Sequence, residues 1–490
     1  MIPKVISTET DGGLGVLPAT FGKMQAIIGV ASQGNTAAPA AYASISAVKT
    51  AFGNSGPMVE LACRAIELYG GPVVLCRAAT VTAGTTSNPV TTGVTGSSVV
   101  TVDSSVHPYD DGEIVVKVTL GGTVGTGPIS LQWSRDGVRT FSVDTALGTA
   151  NSFTVPNSNV KFAFAAGTLL TGDTWSCVSV APLWDSTSLA AAIDALGASK
   201  LNWEYCTILG NALGADLDAV EAKRLSLATK GKHRWFQMHF RMPNVGESDT
   251  TYQAALVTAF DSHRSTGIDL SAGACKCLSS NPTLVAQYRR PVIFAYAALF
   301  ASVSEEQDIA QIKYGPLPGV QIRDANGNLD EHDELEMPGI DDEMCTALRT
   351  WDGRDGVFVN NPRLHASLAS DFQFVQLRRV MNIARTTLKQ YLETRLSKDV
   401  VVDAKTGFLL KSEADDIDSG ANAALSAVLD GVPKASPSSP SAPRFAVSRT
   451  DNLLSTNLVH YTMRIIPLGY IKALQGDEGF FNPASRVVTG

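Results

Sequence analysis

The sequence predicts a multidomain α+β protein. An α/β core is interrupted by an inserted antiparallel β-sandwich and followed by a C-terminal α+β domain, with an extended arm at each end. Three observations predict this. The chain has 490 residues, several times the roughly 100–200 of one domain. Its texture changes three times: to short alternating strands at Thr80, back to helical periodicity at Trp184, and to hairpins and long helices near Ile309. Residues 1–22 and 471–490 are too intermittently apolar to bury a core of their own. The expected division is an arm at 1–22, a discontinuous α/β domain at 23–79 and 183–305, the insertion at 80–182, a C-terminal domain at 306–470 and an arm at 471–490.

In chain order, the run MQAIIGV at 24–30 reads as a buried strand. Helical spacing follows at 44–53 and 58–69, the latter closing on Gly70 and Gly71. PVVLCRA at 72–78 is a second buried strand, which makes a β-α-β start. The insertion alternates apolar and polar residues in GEIVVKVTL, SLQWSRDGVRTFSV and TWSCVSV. Asp136-Gly137 carries a tight-turn signal there. Trp133, Phe141, Phe153, Phe162 and Trp175 are the candidate core of the insertion. After it, 185–196 is a helix with Asp185 or Ser186 as N-cap. WEYCTIL, ADLDAVEAKRLSLATKG and HRWFQMHF then read as strand, helix, strand.

In the last third, Asn326-Gly327 marks a turn between extended segments. A long amphipathic helix is expected over 371–396, with Phe372, Val375, Val380, Ile383 and Leu388 on its apolar side. A second helix is expected over 413–429, where Glu413, Asp415, Asp416 and Asp418 occupy the favourable end of the helix dipole. A Pro/Ser linker at 434–443 leads to strands in RFAVSRT and LVHYTMRIIPLGYI.

Composition excludes several function classes. Hydrophobic residues make up 44% and mean hydropathy is +0.07, enough to fill cores. Lys and Arg number 39 against 47 Asp and Glu, a net charge of −8. Without a basic excess the chain is a poor candidate for gripping phosphate backbones. The N-terminus has no apolar signal-peptide segment. The longest apolar stretch, 291–303, falls short of the ~20 residues a spanning helix needs. No membrane insertion is therefore expected, and folding in a cytoplasm is the simplest reading. Seven scattered cysteines read as reduced structural thiols.

Chemical motifs give little. There is no Walker loop, no dinucleotide fingerprint, no Gly-x-Ser-x-Gly elbow and no His-Glu-x-x-His helix. Cys275-x-Cys277 lacks the second pair that a structural zinc site takes. His233 and His239, read on one strand, stand ~20 Å apart, too far to share a metal. In the segment from Asp324 to Asp330 the glycine is at the fourth position, not the sixth of a calcium loop, so a hairpin explains it better. No cofactor, metal or enzymatic activity is expected.

Recognition enters at residues 357–396, VFVNNPRLHASLASDFQFVQLRRVMNIARTTLKQYLETRL. This resembles the C-terminal domain of contractile tail sheath proteins: a short strand ending in Asn, an Arg, then a long helix with Arg-Arg and Asn near its middle. The matching residues are Asn360, Arg363, Arg378, Arg379 and Asn382. The order that follows is also similar to that family: acidic helix, linker, strand, then a longer strand ending in IIPLGY. The resemblance implies a non-enzymatic sheath subunit of a phage tail or other contractile injection machine, assembled in the host cytoplasm into a virion tail. It implies a helical homo-oligomer joined by strand exchange through both termini. An inner tail tube, a baseplate and a tail terminator would be its partners, with no nucleic acid. The helix bearing Glu413, Asp415, Asp416 and Asp418 would dock on the tube. The alternative from another class is an adhesin-like virion or surface binding module that uses the β-sandwich.

Overall fold

The computed structural model describes residues 24–137, 140–244, 246–280, 287–324, 326–437 and 443–472. Both expected arms lie outside these residues, apart from Ile471 and Lys472, as does the middle of the Pro/Ser linker. Two compact units result, 1–389 and 390–490. Residues 306–389, which the sequence reading grouped with the C-terminal domain, belong to the first unit. The reason is packing: Leu348, Val357, Val359, Leu364 and Val375 share one buried cluster with Ile27, Leu75 and Trp235 of the α/β core.

That core is built on a six-stranded sheet in the order Ile268–Ser271, Trp235–His239, Tyr205–Asn211, Gln25–Gly29, Val73–Arg77, Ala40–Tyr42. The first five strands are parallel and the short edge strand is antiparallel. The strands read as continuous apolar runs because both faces are covered. Strand alternation divides them cleanly: Ile27, Leu75 and Trp235 enter one cluster, and Ala26, Ile28, Val74 and Phe236 the other. Helices Ile45–Phe52 and Pro57–Leu68 cover the first face; helices Ser186–Ala198, Gly214–Thr229 and Asp249–Phe260 cover the second. Three of the five starts are capped by polar side chains before apolar runs. Ser44 accepts the Ala47 amide at 3.3 Å, Asp185 and Ser188 form a reciprocal capping box, and Ser248 accepts the Thr251 amide at 3.3 Å.

The insertion leaves and rejoins the core at one neck. There Thr82 and Leu183 exchange backbone hydrogen bonds of 3.0 and 2.9 Å. Its larger sheet centres on Gly112–Leu120, paired with Ser130–Ser134 on one side and Thr174–Val180 on the other. A smaller sheet joins Ser152–Val155, Val160–Phe164 and Val100–Val102. Phe162 and Trp175 are buried in the shared core, and Trp133 and Phe153 pack at its margin. Phe141 is outside it, 37% exposed. The physical cause is the Asp136-Gly137 corner, which is not a two-residue hairpin. Asp136 instead folds the chain back through its side chain, accepting from Ser134 Oγ at 2.7 Å and from the Thr140 amide at 3.0 Å. Phe141 is left in the connection before Thr145–Ala146.

The chain turns back sharply between Asp324 and Asn328. Arg323 bridges Leu329, the Asp324 amide donates to the Asn328 carbonyl at 2.9 Å, and Gly327 has φ +84°. The long helix is Val375–Glu393, somewhat shorter than expected.

In the second unit, helix Lys411–Leu429 packs by Ala414, Ala421, Leu425 and Leu429. Its sheet is small: Phe445–Val447 pairs with Tyr461–Met463 alone among the described residues. The fourteen-residue strand suggested by LVHYTMRIIPLGYI contracts to Tyr461–Met463, and beyond it Pro467 makes only an isolated bridge to Ala435.

Candidate functional site

Of the residues that carry the sheath resemblance, Arg378 and Arg379 fasten the long helix to the rest of its unit. Arg379 is fully buried and makes a bidentate pair with Glu204 at 2.6 and 3.0 Å, adding the Phe300 carbonyl at 2.9 Å. Burial favours the neutral guanidine, yet the Glu204 carboxylate outweighs it and the Arg379 pKa rises. Arg378 donates to the Thr266 carbonyl at 2.7 Å and lies 3.8 Å from the Phe372 ring centre. With burial, and with Arg224 and Arg385 nearby, its pKa falls to about 9. Arg363 holds Asp341 through two bonds of 2.9 and 2.7 Å and stacks on Phe374. Asn360, just past strand Arg354–Val359, places its amide on the Ala347 carbonyl at 3.0 Å, and the Asn382 backbone carbonyl accepts from Thr386 Oγ1 at 2.8 Å. Arg378 and Arg379 are neighbours on one helix, but the Arg379 partner lies 175 residues away.

The acidic helix start is not a row of open carboxylates. Asp415 and Asp418 both pair with Arg449, at 2.8 and 2.6 Å, and Asp416 pairs with Arg395 at 2.6 Å. Asp418 also accepts the Val447 amide at 2.8 Å. Asn422 accepts the Phe445 amide at 3.1 Å and donates to the Phe445 carbonyl at 2.9 Å. Helix side chains therefore close one edge of the small sheet. The other edge has no strand partner among the described residues. Bonds from Ser448 N to His460 O and from Arg464 N to Arg444 O flank the ladder, each 2.8 Å. They make Ala446 and Thr462 a hydrogen-bonded pair, so the backbone groups of Tyr461 and Met463 point outward. Tyr461, Leu458, Leu454 and Ile466 beside this edge are all more than half exposed.

Sequence reasoning missed a buried charge network between the insertion and the core. Arg290 is fully buried and pairs with Glu60 of helix Pro57–Leu68 and, at 2.9 Å, with Asp110 of the insertion. Asp110 is shared with Arg135 at 3.1 Å, and the Arg290 guanidinium also donates to the Asp111 carbonyl at 3.2 Å. Three opposing carboxylates raise the Arg290 pKa well above its usual value despite burial. The available signal was two arginines set directly before the longest apolar run, in YRRPVIFAY. Beside this network a cleft of about 280 Å³ runs between Glu113 and Asp136 of the insertion and Arg241 and Arg289 of the core.

Other reactive residue types are present but inactive in setting. All seven cysteines are buried and free. Cys275 and Cys277 approach to 3.4 Å, and no group of three metal-ligating residues occurs among the described residues. Cys345 lies 3.6 Å from His365, a nucleophile–base distance. Burial raises the thiol well above its usual pKa and pulls His365 down to about 4, opposite to what an activated pair needs. His233 is not on the same strand as His239; the strand starts at Trp235, and His239 is buried against the Gly210 amide at 3.0 Å. A row of polar side chains crosses beneath the sheet from Gln25 to Thr207, Gln237 and Asp269, with bonds of 2.7, 2.7 and 3.1 Å. It ends on Thr346 and Tyr296, and burial lifts the Asp269 pKa to about 6.

Fold and site together define a multidomain α+β chain in which buried Arg290 and Arg379 are each paired with carboxylates of the same unit. The protein belongs to the family described as DUF2586, N-terminal domain, whose model matches residues 2–363. No curated protein matches it. Among solved structures, it is similar to the sheath tail protein of Listeria innocua at 13% identity and TM-score 0.46, over 91% of this chain and 95% of that one. It is similar to the sheath tail protein of Desulfitobacterium hafniense at 11% identity and TM-score 0.46, over 95% and 100%. A chain of the anti-feeding prophage baseplate in its contracted state is 11% identical with TM-score 0.49, over 98% of each.

Proposed function

We propose that this chain is a structural sheath subunit. It polymerises as a helical homo-oligomer around an inner tail tube and shortens to drive that tube through a target envelope, as part of a phage tail or related contractile injection machine. The observation that carries the reading is the unfinished sheet at Tyr461–Met463: outward backbone groups, flanked by exposed apolar side chains, beside a strand whose own far edge is closed by Asn422 and Asp418. An open edge with an apolar margin is a template for strand addition. Residues 1–22 and 471–490 of neighbouring copies are the strands proposed to complete it. The fold then reads as sheath-type, with the inserted β-sandwich as an outward decoration and baseplate and terminator proteins at the ends of the polymer. The pattern from Asn360 to Asn382 supports the same reading.

Lys411–Leu429 is the proposed tube-docking helix. Since Asp415, Asp416 and Asp418 already hold Arg449 and Arg395, Glu413 is the carboxylate best placed to reach a basic tube surface.

The test is negative-stain microscopy of wild type and Met463→Pro. Proline removes one outward N–H on a solvent edge, a position where folded sheets tolerate it. Wild type is expected to form long hollow cylinders, and the variant is expected to remain a folded monomer. Discrete wild-type particles overturn the sheath reading; cylinders from the variant overturn strand addition at this edge.

A further inference from the structure

The segment 330–341 is packed on helix Asp249–Phe260. Ile340 shares a buried cluster with Tyr252 and Leu256 of that helix, and Gly339 lies so close to the Gln253 side-chain amide that any Cβ would overlap it. Near the start of the segment His332 is buried, its side chain 2% exposed, and both of its ring nitrogens meet carboxylates. Nδ1 is 3.1 Å from Oδ1 of Asp249, in the first turn of the helix, and Nε2 is 2.8 Å from Glu334 Oε2. A neutral imidazole has one N–H, so its other nitrogen would set a lone pair against carboxylate lone pairs. Only the imidazolium donates to both. The two partners are placed as charged acceptors: a helix start favours negative charge at Asp249, and Glu334 Oε1 accepts the Gly339 and Asp341 amides at 2.9 and 3.1 Å. Glu334 thus joins the ring to the far end of the segment. The other cations around the ring are occupied. Lys276 holds Asp330, and Arg289 holds Glu331 at 2.5 and 2.9 Å. Arg241 holds Glu247 at 2.7 Å, and Arg323 holds Asp333 at 3.3 Å. From the insertion, Glu113 lines the same cleft as His332 and adds a further carboxylate. Asp249 and Glu334 pair with no other cation among the described residues. Burial by itself would lower the His332 pKa; the bonds and charges of Glu334 and then Asp249 outweigh it and raise it.

We propose that His332, held as an imidazolium between Asp249 and Glu334, is a proton-dependent clasp that fastens the 330–341 segment to helix Asp249–Phe260 and releases it when the ring gives up one proton. The clasp holds or fails independently of the assembling role proposed above. Loss of one proton leaves a single N–H for two carboxylates, and one bond is replaced by repulsion in a buried setting. When Nε2 is the nitrogen stripped, Glu334 is pushed away and takes the Gly339 and Asp341 amides with it. When it is Nδ1, the tie to the helix goes. The Asp249 side chain is 27% exposed, which gives the proton a route to water. The folded pKa is raised above the ~6.5 of an unfolded histidine, so the contribution of the clasp is fully present below pH ~6.5 and is lost as pH rises through the folded value.

The experiment follows the full chain by mass spectrometry across a pH series. Deuterium exchange at the imidazole C2 position gives the pKa of His332. Backbone amide exchange, divided by the unfolded-peptide rate at each pH, gives the protection of the 330–341 segment. In wild type the His332 pKa is expected above ~6.5, and protection of the segment is expected to fall several-fold as pH rises through it. Asp249→Asn and Glu334→Gln each remove a charge but keep an oxygen that accepts from the ring. Each is expected to weaken proton binding at His332 by roughly tenfold and to move the loss of protection to correspondingly lower pH. A wild-type His332 pKa at or below ~6.5 overturns the imidazolium. Protection that stays constant through a raised pKa overturns the clasp, and so does a pKa that neither variant moves. Should a variant fail to fold, the wild-type pKa and protection curves decide both points alone.

Discussion

Arg379 and Arg290 sit where an unpaired guanidinium would cost several kcal/mol, and each is surrounded by acceptors on nearly every side. A lone arginine in a sequence carries no mark of this. Arg378 and Arg379 are adjacent and chemically alike, yet one meets Glu204 and the other only a carbonyl and a ring. Asp269 shows the opposite case, a buried acid among neutral donors. Its folded-state pKa of about 6 lies above the ~3.9 of an unfolded aspartate. The folded state therefore binds the proton more tightly. Its contribution to stability is fully present below pH ~4 and is lost as pH rises to about 6, a difference of ~3 kcal/mol for a shift near two units. Asp269→Asn cannot ionise. The gap between the thermal midpoints of variant and wild type should move in the variant's favour from pH 4 to pH 7, and a pH-independent gap would refute the assignment.

At the scale of elements, length and periodicity decided what was legible. Helix Val375–Glu393 was readable because nineteen residues repeat an apolar stripe, with Val375, Val380 and Leu388 buried. The strands of the second unit were not, because three residues carry almost no period and their extent depends on what lies beside them. Helix Lys411–Leu429 lies where its periodicity predicts, but three of its four acids near the start are already paired within the unit. Exposed pairs such as Asp416–Arg395 are each worth about 0.2–1 kcal/mol, so reversing those acids would disturb the unit itself. Glu413→Lys avoids this. It should leave folding and self-assembly intact while weakening co-sedimentation with the tube several-fold, an effect that shrinks with added salt. Tube binding that ignores the reversal would place the contact elsewhere.

For the whole molecule, the insertion is joined twice: by the neck at Thr82 and Leu183, and by the buried network around Arg290. Excising 80–182 with a short linker closes a small gap at little entropic cost. It also strips Asp110, Asp111 and Arg135 from Arg290. The truncated chain should show a clearly lower thermal midpoint, and adding Glu60→Leu/Arg290→Leu should recover much of it, since well-packed apolar residues replace buried ion pairs without loss. Because the open Tyr461–Met463 edge lies outside the excised segment, the stabilised truncation should still form cylinders. If it folds and does not assemble, the insertion is part of the sheath wall.

The sequence by itself determined the alternation of strand and helix in the core, where the period changes, and the start of helix Ser186–Ala198. Each is written in local signals: strand runs apolar on both faces, an abrupt change of period, a capping side chain three residues before its amide. Tertiary structure alone decided that residues 306–389 join the core, that Glu204 and Glu60 receive the buried arginines, that Asp415, Asp416 and Asp418 are already paired, and that one strand edge has no neighbour among the described residues. Those outcomes depend on which distant side chains meet in a low-dielectric interior, where charge must find charge and backbone must find backbone, and spacing along the chain does not encode that meeting.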